Sequence, residues 1–139
     1  MNPELIFWPV CLMAFATLFL YYLMSRARIA SVKSGEVEPS VFKNNEGETG
    51  ISLTYANAVR NQYESPVLFY VVSIAAYVTE NVGVTMLVLA WAFVICKIIH
   101  INFHVNGNNL RRRRPAFIVC YLILIVMWIV FMASLAGII

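Results

Sequence analysis

Two long stretches without a charged residue constrain this chain more than any other feature of its sequence. Leu5 to Met24 and Ala116 to Ile139 hold 20 and 24 uncharged, mainly apolar residues. A helix needs about 20 such residues to cross the hydrocarbon core of a bilayer. Because 61% of the whole chain is hydrophobic and only 12% is charged, the composition excludes an ordinary soluble domain. We therefore predict an all-α integral membrane protein.

Two further apolar segments lie between these stretches, and a short turn at Thr79 to Gly83 separates them. The chain is thus predicted to form a four-transmembrane-helix bundle in a single domain, 1–139, with a polar loop at 25–52. The predicted helices cover about 5–24, 55–78, 84–104 and 115–139. The first helix is expected to be retained in the protein, because no basic segment precedes it and it lacks an A-x-A cleavage pattern.

Positive residues are concentrated in the first and third predicted loops. The positive-inside rule then places both termini on the non-cytoplasmic side of the membrane. The run Arg111 to Arg114 has a simple interpretation, because basic clusters next to a membrane fix topology and contact anionic lipid. Nucleic-acid binding is not expected, since the run is short and no aromatic residues interleave it.

A polar stripe stands at the start of the second predicted helix. Its members are spaced i, i+3, i+4 and i+7, so they share one face of a helix: Asn57, Arg60, Asn61 and Glu64. Ionisable groups inside a membrane are costly, and they indicate a functional site by default. The alternative is a buried ion pair or hydrogen-bond network that fixes helix packing and oligomer register without binding a ligand.

The third predicted helix ends in polar residues, and an antiparallel hairpin brings this end to the polar start of the second helix. The polar residues are Lys97, His100, Asn102 and His104. His100 and His104 have a spacing that suits a metal, but no H-E-x-x-H pattern and no carboxylate accompany them. We therefore expect no metal site.

Two motifs resemble one family of membrane proteins. The segment RNQYESPVLFY, Arg60 to Tyr70, resembles the R-N-x-x-E motif of the MAPEG family, the membrane-associated proteins in eicosanoid and glutathione metabolism. The segment KIIHINFH, Lys97 to His104, is similar to the basic residue and histidine on that family's third helix. The four spans, the long first loop and the basic third loop also agree with that family. The amino-acid sequence around the two motifs is most similar to the family's bacterial branch.

The resemblance implies a homotrimer in a bacterial inner (plasma) membrane, with glutathione bound between subunits near the cytoplasmic face. By position, Arg60, Asn61, Glu64 and His100 would bind the tripeptide, and Arg26 or Arg28 would add a carboxylate contact. Arg113 would be the catalytic arginine that stabilises the thiolate. His104 is a further candidate for glutathione binding, at a position where the family's enzymes often carry tyrosine. Phe117 also stands where those enzymes commonly carry tyrosine.

The leading function is therefore a microsomal-type, glutathione-dependent transferase or peroxidase acting on lipophilic small molecules that are electrophiles. Phe117 and His104 favour the alternative of a non-catalytic scaffold that binds lipid or another ligand. A small channel or carrier is a third hypothesis, and only the charged stripe favours it.

Overall fold

The computed structural model describes residues 1–44, 46–107 and 109–138. Within these residues, a 3-10 turn at Pro3–Ile6 precedes six α-helices. The helices are α1 (Phe7–Lys33), α2 (Val41–Asn44), α3 (Gly50–Arg60), α4 (Ser65–Val78), α5 (Val84–Val105) and α6 (Leu110–Leu135). The chain is all-helical, as predicted, and its second predicted span is divided between α3 and α4.

In the part of the chain that the structure describes, three helical stretches are long and apolar enough to cross a bilayer: Pro3–Lys33, Val84–Val105 and Leu110–Leu135. Large apolar side chains on their outer faces are exposed, among them Phe15 and Leu18 on α1 and Leu122 on α6. Such surfaces are unfavourable in water and suit contact with lipid. The chain is thus an integral membrane protein.

Helix boundaries differ from the predicted ones at both polar loops. Helix α1 continues to Lys33 rather than ending at Met24, because no glycine or proline lies between Met24 and Gly35, whose positive φ (75°) accompanies the helix end. Helix α3 begins at Gly50, so the loop is shorter than 25–52. Helix α6 begins at Leu110, where the Asn109 side chain accepts a hydrogen bond from the Arg111 backbone N–H at 3.0 Å.

The main core lies between α1, α4, α5 and α6. The rings of Phe69 and Phe93 stack with centroids 4.7 Å apart, and Met13 and Met127 are fully buried beside them in the same apolar cluster. A smaller cluster of Leu20, Ala58 and Val59 joins α1 to α3. These contacts fix α3 and α4 against the long helices, which places the polar junction between them beside α5.

Candidate functional site

The second predicted span is not one continuous helix. Asn61–Tyr63 form a 3-10 turn after α3, and the backbone leaves helical geometry at Glu64 (φ −101°, ψ −100°) before α4 starts at Ser65. Pro66, near the start of α4, has no N–H to donate, which suits a first turn. The predicted stripe from Asn57 to Glu64 is therefore interrupted, and its members do not all face one way.

Lys97 on α5 supports this junction from inside the protein. Its side chain is fully buried, and its Nζ donates hydrogen bonds to Ser65 Oγ at 2.9 Å and to the Asn61 carbonyl at 3.3 Å. A cation is favourable near backbone carbonyls at the end of a helix. Buried charge is costly unless it has such partners, so this lysine couples α5 to both sides of the break.

Beside the junction lies a cavity of about 290 Å³. Its lining residues come from the junction, α5 and α6: Asn61, Glu64, His100, Leu110, Arg113, Arg114 and Phe117. Four of the seven predicted site residues are thus brought together here, namely Asn61, Glu64, His100 and Arg113. One carboxylate, one amide, one imidazole and two guanidinium groups therefore surround a single space.

The chemistry of these groups suits a ligand with charges of both signs. Among the described residues, the Glu64 carboxylate has no hydrogen bond or ion pair, so it can accept from an ammonium group. The His100 side chain is 2% exposed, and its Nδ1 finds no hydrogen-bond partner among the residues the structure describes. A buried polar atom without a partner is rare in a folded protein, and ligand sites are one place where it occurs.

His104 contacts the guanidinium group of Arg113. The Arg113 Nη1 lies 3.3 Å from His104 Nε2, and His104 is buried. Because a guanidinium can only donate, His104 accepts through Nε2 and carries its proton on Nδ1. His104 does not line the cavity. Within this protomer it therefore contacts Arg113 rather than the cavity itself.

Two predicted arginines lie outside the cavity. Arg60 is exposed at the end of α3, close enough to Glu48 to help lower the pKa of that carboxyl. Arg26 is exposed on α1, and its Nη1 donates to the Tyr22 hydroxyl at 3.2 Å. Within one protomer, neither residue lines the space that holds Glu64 and His100.

Arg28 binds residues of the first loop. Its guanidinium binds both carboxylate oxygens of Glu48, at 2.9 and 2.7 Å, and its Cζ lies 4.9 Å from the centroid of the Phe42 ring. The hydrogen bonds from Arg28 hold the pKa of the Glu48 carboxyl below its ordinary value. The pair ties the loop to α1 and leaves Arg28 poorly placed to bind anything else.

Three lining residues were not predicted as site residues: Leu110, Arg114 and Phe117. Leu110 and Arg114 were missed because the predicted start of the last helix at Pro115 placed the whole arginine run in a loop. Starting that helix at the capping residue Asn109 distributes the arginines around the helix and turns Arg113, Arg114 and Phe117 toward one side.

Comparison with known proteins agrees with this architecture. The family model for MAPEG matches residues 6–133, and the chain belongs to the MAPEG family. The family is one of four-helix membrane bundles and includes glutathione-dependent transferases and peroxidases. Searches of curated proteins and of solved structures gave no significant match.

Proposed function

We propose that this protein is a glutathione-dependent membrane transferase or peroxidase that acts on lipophilic electrophiles. The observation that carries the proposal is the cavity in which Asn61, Glu64, His100 and Arg113 converge from three parts of the fold. Membership of the MAPEG family supplies the class of chemistry.

Glutathione matches the donors and acceptors of the cavity. The tripeptide carries an α-ammonium group, two carboxylates and a thiol. Glu64 is suited to the ammonium group, and the planar guanidinium of Arg114 can bind a carboxylate through two parallel hydrogen bonds. Asn61 and His100 add neutral polar contacts. The ammonium group and one of the two carboxylates thus each have a partner of opposite charge within one protomer.

The protomer cavity is at the small end of the range for ligand sites, which runs from about 300 to 1,000 Å³. We infer that a neighbouring subunit of a homotrimer completes it, with the cavity near the cytoplasmic face. Arg26 and Arg60 are exposed, so each is free to reach a ligand held by a neighbouring subunit. Their distance from the cavity of their own protomer is consistent with such a shared site.

Arg113 is the residue we assign to thiol activation. A cation beside a thiol favours the thiolate, which is the reactive nucleophile. The thiolate would attack an electrophilic carbon of the substrate, whose leaving group departs with the bonding electron pair. With a hydroperoxide, two glutathione molecules would reduce ROOH to ROH and water and form glutathione disulfide. His104 would keep the Arg113 guanidinium aimed while the proton leaves for water.

Phe117 is the observation that favours a non-catalytic alternative. Its ring lines the cavity and lies 5.7 Å from the His100 ring, so an apolar face stands where a hydroxyl would have donated to sulfur. Tyr121 packs on Phe117 with centroids 4.9 Å apart but does not line the cavity. A scaffold that binds glutathione or a lipid without turnover would retain this arrangement.

Calorimetry with glutathione on the detergent-purified protein tests the proposal, and Glu64→Gln is the decisive variant. Loss of one charged hydrogen-bond partner should weaken binding by about 10- to 100-fold. Glu48→Gln is the matched control, because it removes a carboxylate from the loop and should leave affinity unchanged. Turnover would then be assayed with an activated aryl halide and an organic hydroperoxide. Binding without turnover would support a scaffold that binds glutathione, whereas absence of binding would overturn the transferase or peroxidase and leave only a scaffold that binds lipid or another ligand.

A further inference from the structure

The four consecutive arginines at the start of α6 face different surroundings. Arg113 is half-buried and lines the polar cavity, whereas the other three are exposed. Arg111 and Arg114 line a second cavity on the outer side of α6, and Arg114 is shared by the two. Arg112 lines neither. The run is therefore divided by the helical period into residues with distinct neighbours.

The second cavity is a shallow apolar groove that runs along α6 alone and has a cationic end. Besides Arg111 and Arg114, it is lined by Leu110, Pro115, Ile118 and Val119. Positions 111, 114, 115, 118 and 119 recur at intervals of three and four, so they form one stripe along α6. Ile118 and Val119 are each 47% exposed, which leaves the groove open on the lipid-facing surface.

The cationic end of the groove has no acidic neighbour. No carboxylate is among its lining residues, and neither Arg111 nor Arg114 makes a side-chain hydrogen bond or ion pair within the described part of the chain. Cations are also unfavourable near the amino-terminal end of a helix. An anion between these two guanidinium groups would therefore be stabilised by both side chains and by the helix.

We propose that this groove binds an anionic phospholipid of the surrounding bilayer. The phosphate would bind Arg111 and Arg114, and an acyl chain would lie on Pro115, Ile118 and Val119. A phospholipid fits this surface because its anionic phosphate precedes its apolar chain along the membrane normal. The arginines of the groove precede Pro115, Ile118 and Val119 along α6 in the same order. The site shares Arg114 and Leu110 with the glutathione cavity, and the five N–H donors of Arg114 can serve both anions, whereas Arg111 lines only the groove.

Lipid selectivity tests this site directly. The protein would be placed in nanodiscs of phosphatidylcholine and phosphatidylglycerol in equal amounts, and the lipids it retains would be counted by native mass spectrometry. Enrichment of phosphatidylglycerol is expected for the wild type. Arg111→Gln should reduce that enrichment by about fivefold, as expected for one basic residue at an anionic membrane surface. Arg112→Gln removes the same charge from the adjacent position and should retain most of the enrichment.

Equal losses in the two variants would overturn the proposal, because they would show that only the general positive charge attracts the lipid. The apolar part is tested by Val119→Trp, which fills the groove and should displace the retained lipid. Val126→Trp is its control, two turns further along the same exposed face. A change of oligomeric state in Val119→Trp with no change in lipid count would instead identify a second copy of the chain as the occupant.

Discussion

Two polar clusters in this molecule use the same kinds of side chain in different ways. In the loop cluster, Arg28 and Glu48 bind each other through two hydrogen bonds, and Glu48 is largely buried. In the cavity cluster, Glu64 and Arg113 both face an open space. The loop cluster therefore satisfies itself, whereas the Glu64 carboxylate of the cavity cluster has no hydrogen bond or ion pair among the described residues.

The difference shows why charge inside a membrane protein is not by itself a sign of a binding site. A bidentate arginine–carboxylate pair ties two segments together and has little capacity left for other partners. The cavity cluster is supported instead by residues that do not line the cavity. Lys97 donates a hydrogen bond to the Asn61 carbonyl, and His104 contacts the Arg113 guanidinium. Residues that orient the side chains lining a cavity are a common feature of binding sites.

The largest expected effect belongs to Arg113. Arg113→Leu should lower turnover at saturating glutathione by about 10²- to 10³-fold, because it removes the cation that stabilises the developing thiolate. Steady-state kinetics with an activated aryl halide would measure this. Arg112→Leu, next to it but outside the cavity, should keep near-wild-type turnover. Equal losses in both variants would show that the arginine run acts only through its total charge.

The membrane class of the chain could be predicted from sequence because the bilayer permits few alternatives. Charge-free runs of 20 residues or more have to be helical if they cross lipid, since every backbone polar group there needs an internal partner. The polar ends of the second and third predicted helices also indicated which end of the bundle holds Glu64 and His100. These inferences rest on composition and on position along the chain.

The direction of individual side chains could not be predicted in the same way. The helix break at Asn61–Glu64 is supported by a tertiary contact from Lys97, and the only local signal beside it is Pro66, which suits the first turn of a new helix. It separates Arg60 from Asn61 and Glu64, although their spacing suits one helical face. Likewise, Pro115 suits the first turn of a helix, so the sequence predicts a loop for the arginine run. The helix instead begins at Leu110, five residues before Pro115, and Asn109 caps it.

The next effect distinguishes the two clusters by stability. Glu48→Gln should lower the stability of the folded protein by about 1–2 kcal/mol, because it breaks a charged pair that is mostly shielded from solvent. Glu64→Gln should change stability by less than about 0.5 kcal/mol, as expected for an exposed side chain. Thermal unfolding in one detergent would compare them. The reverse order would mean that Glu64 is a structural residue.

A somewhat smaller effect is expected at the support of the cavity. Ser65→Ala removes a hydrogen-bond acceptor from the buried Lys97 and should cost about 1 kcal/mol. Ser73→Ala is a matched control on the same helix, because the Ser73 hydroxyl is buried and has no partner among the described residues. It should be neutral or slightly stabilising in the same unfolding assay. Similar losses in both variants would indicate that Ser65 contributes through packing rather than through Lys97.

The smallest effect is the pH dependence of the loop cluster. The folded-state pKa of Glu48 lies below its ordinary value of 4.5, so the stabilisation by Arg28 is complete above pH 4.5 and is lost as the pH falls through the lower folded value. The difference in thermal midpoint between the wild type and Glu48→Gln should be constant from about pH 7 to 6 and should shrink below about pH 4.5. Glu38→Gln, an exposed change in the same loop, should show no such trend. A difference that stays constant down to about pH 3 would show that the Arg28–Glu48 pair adds no stability through its charge.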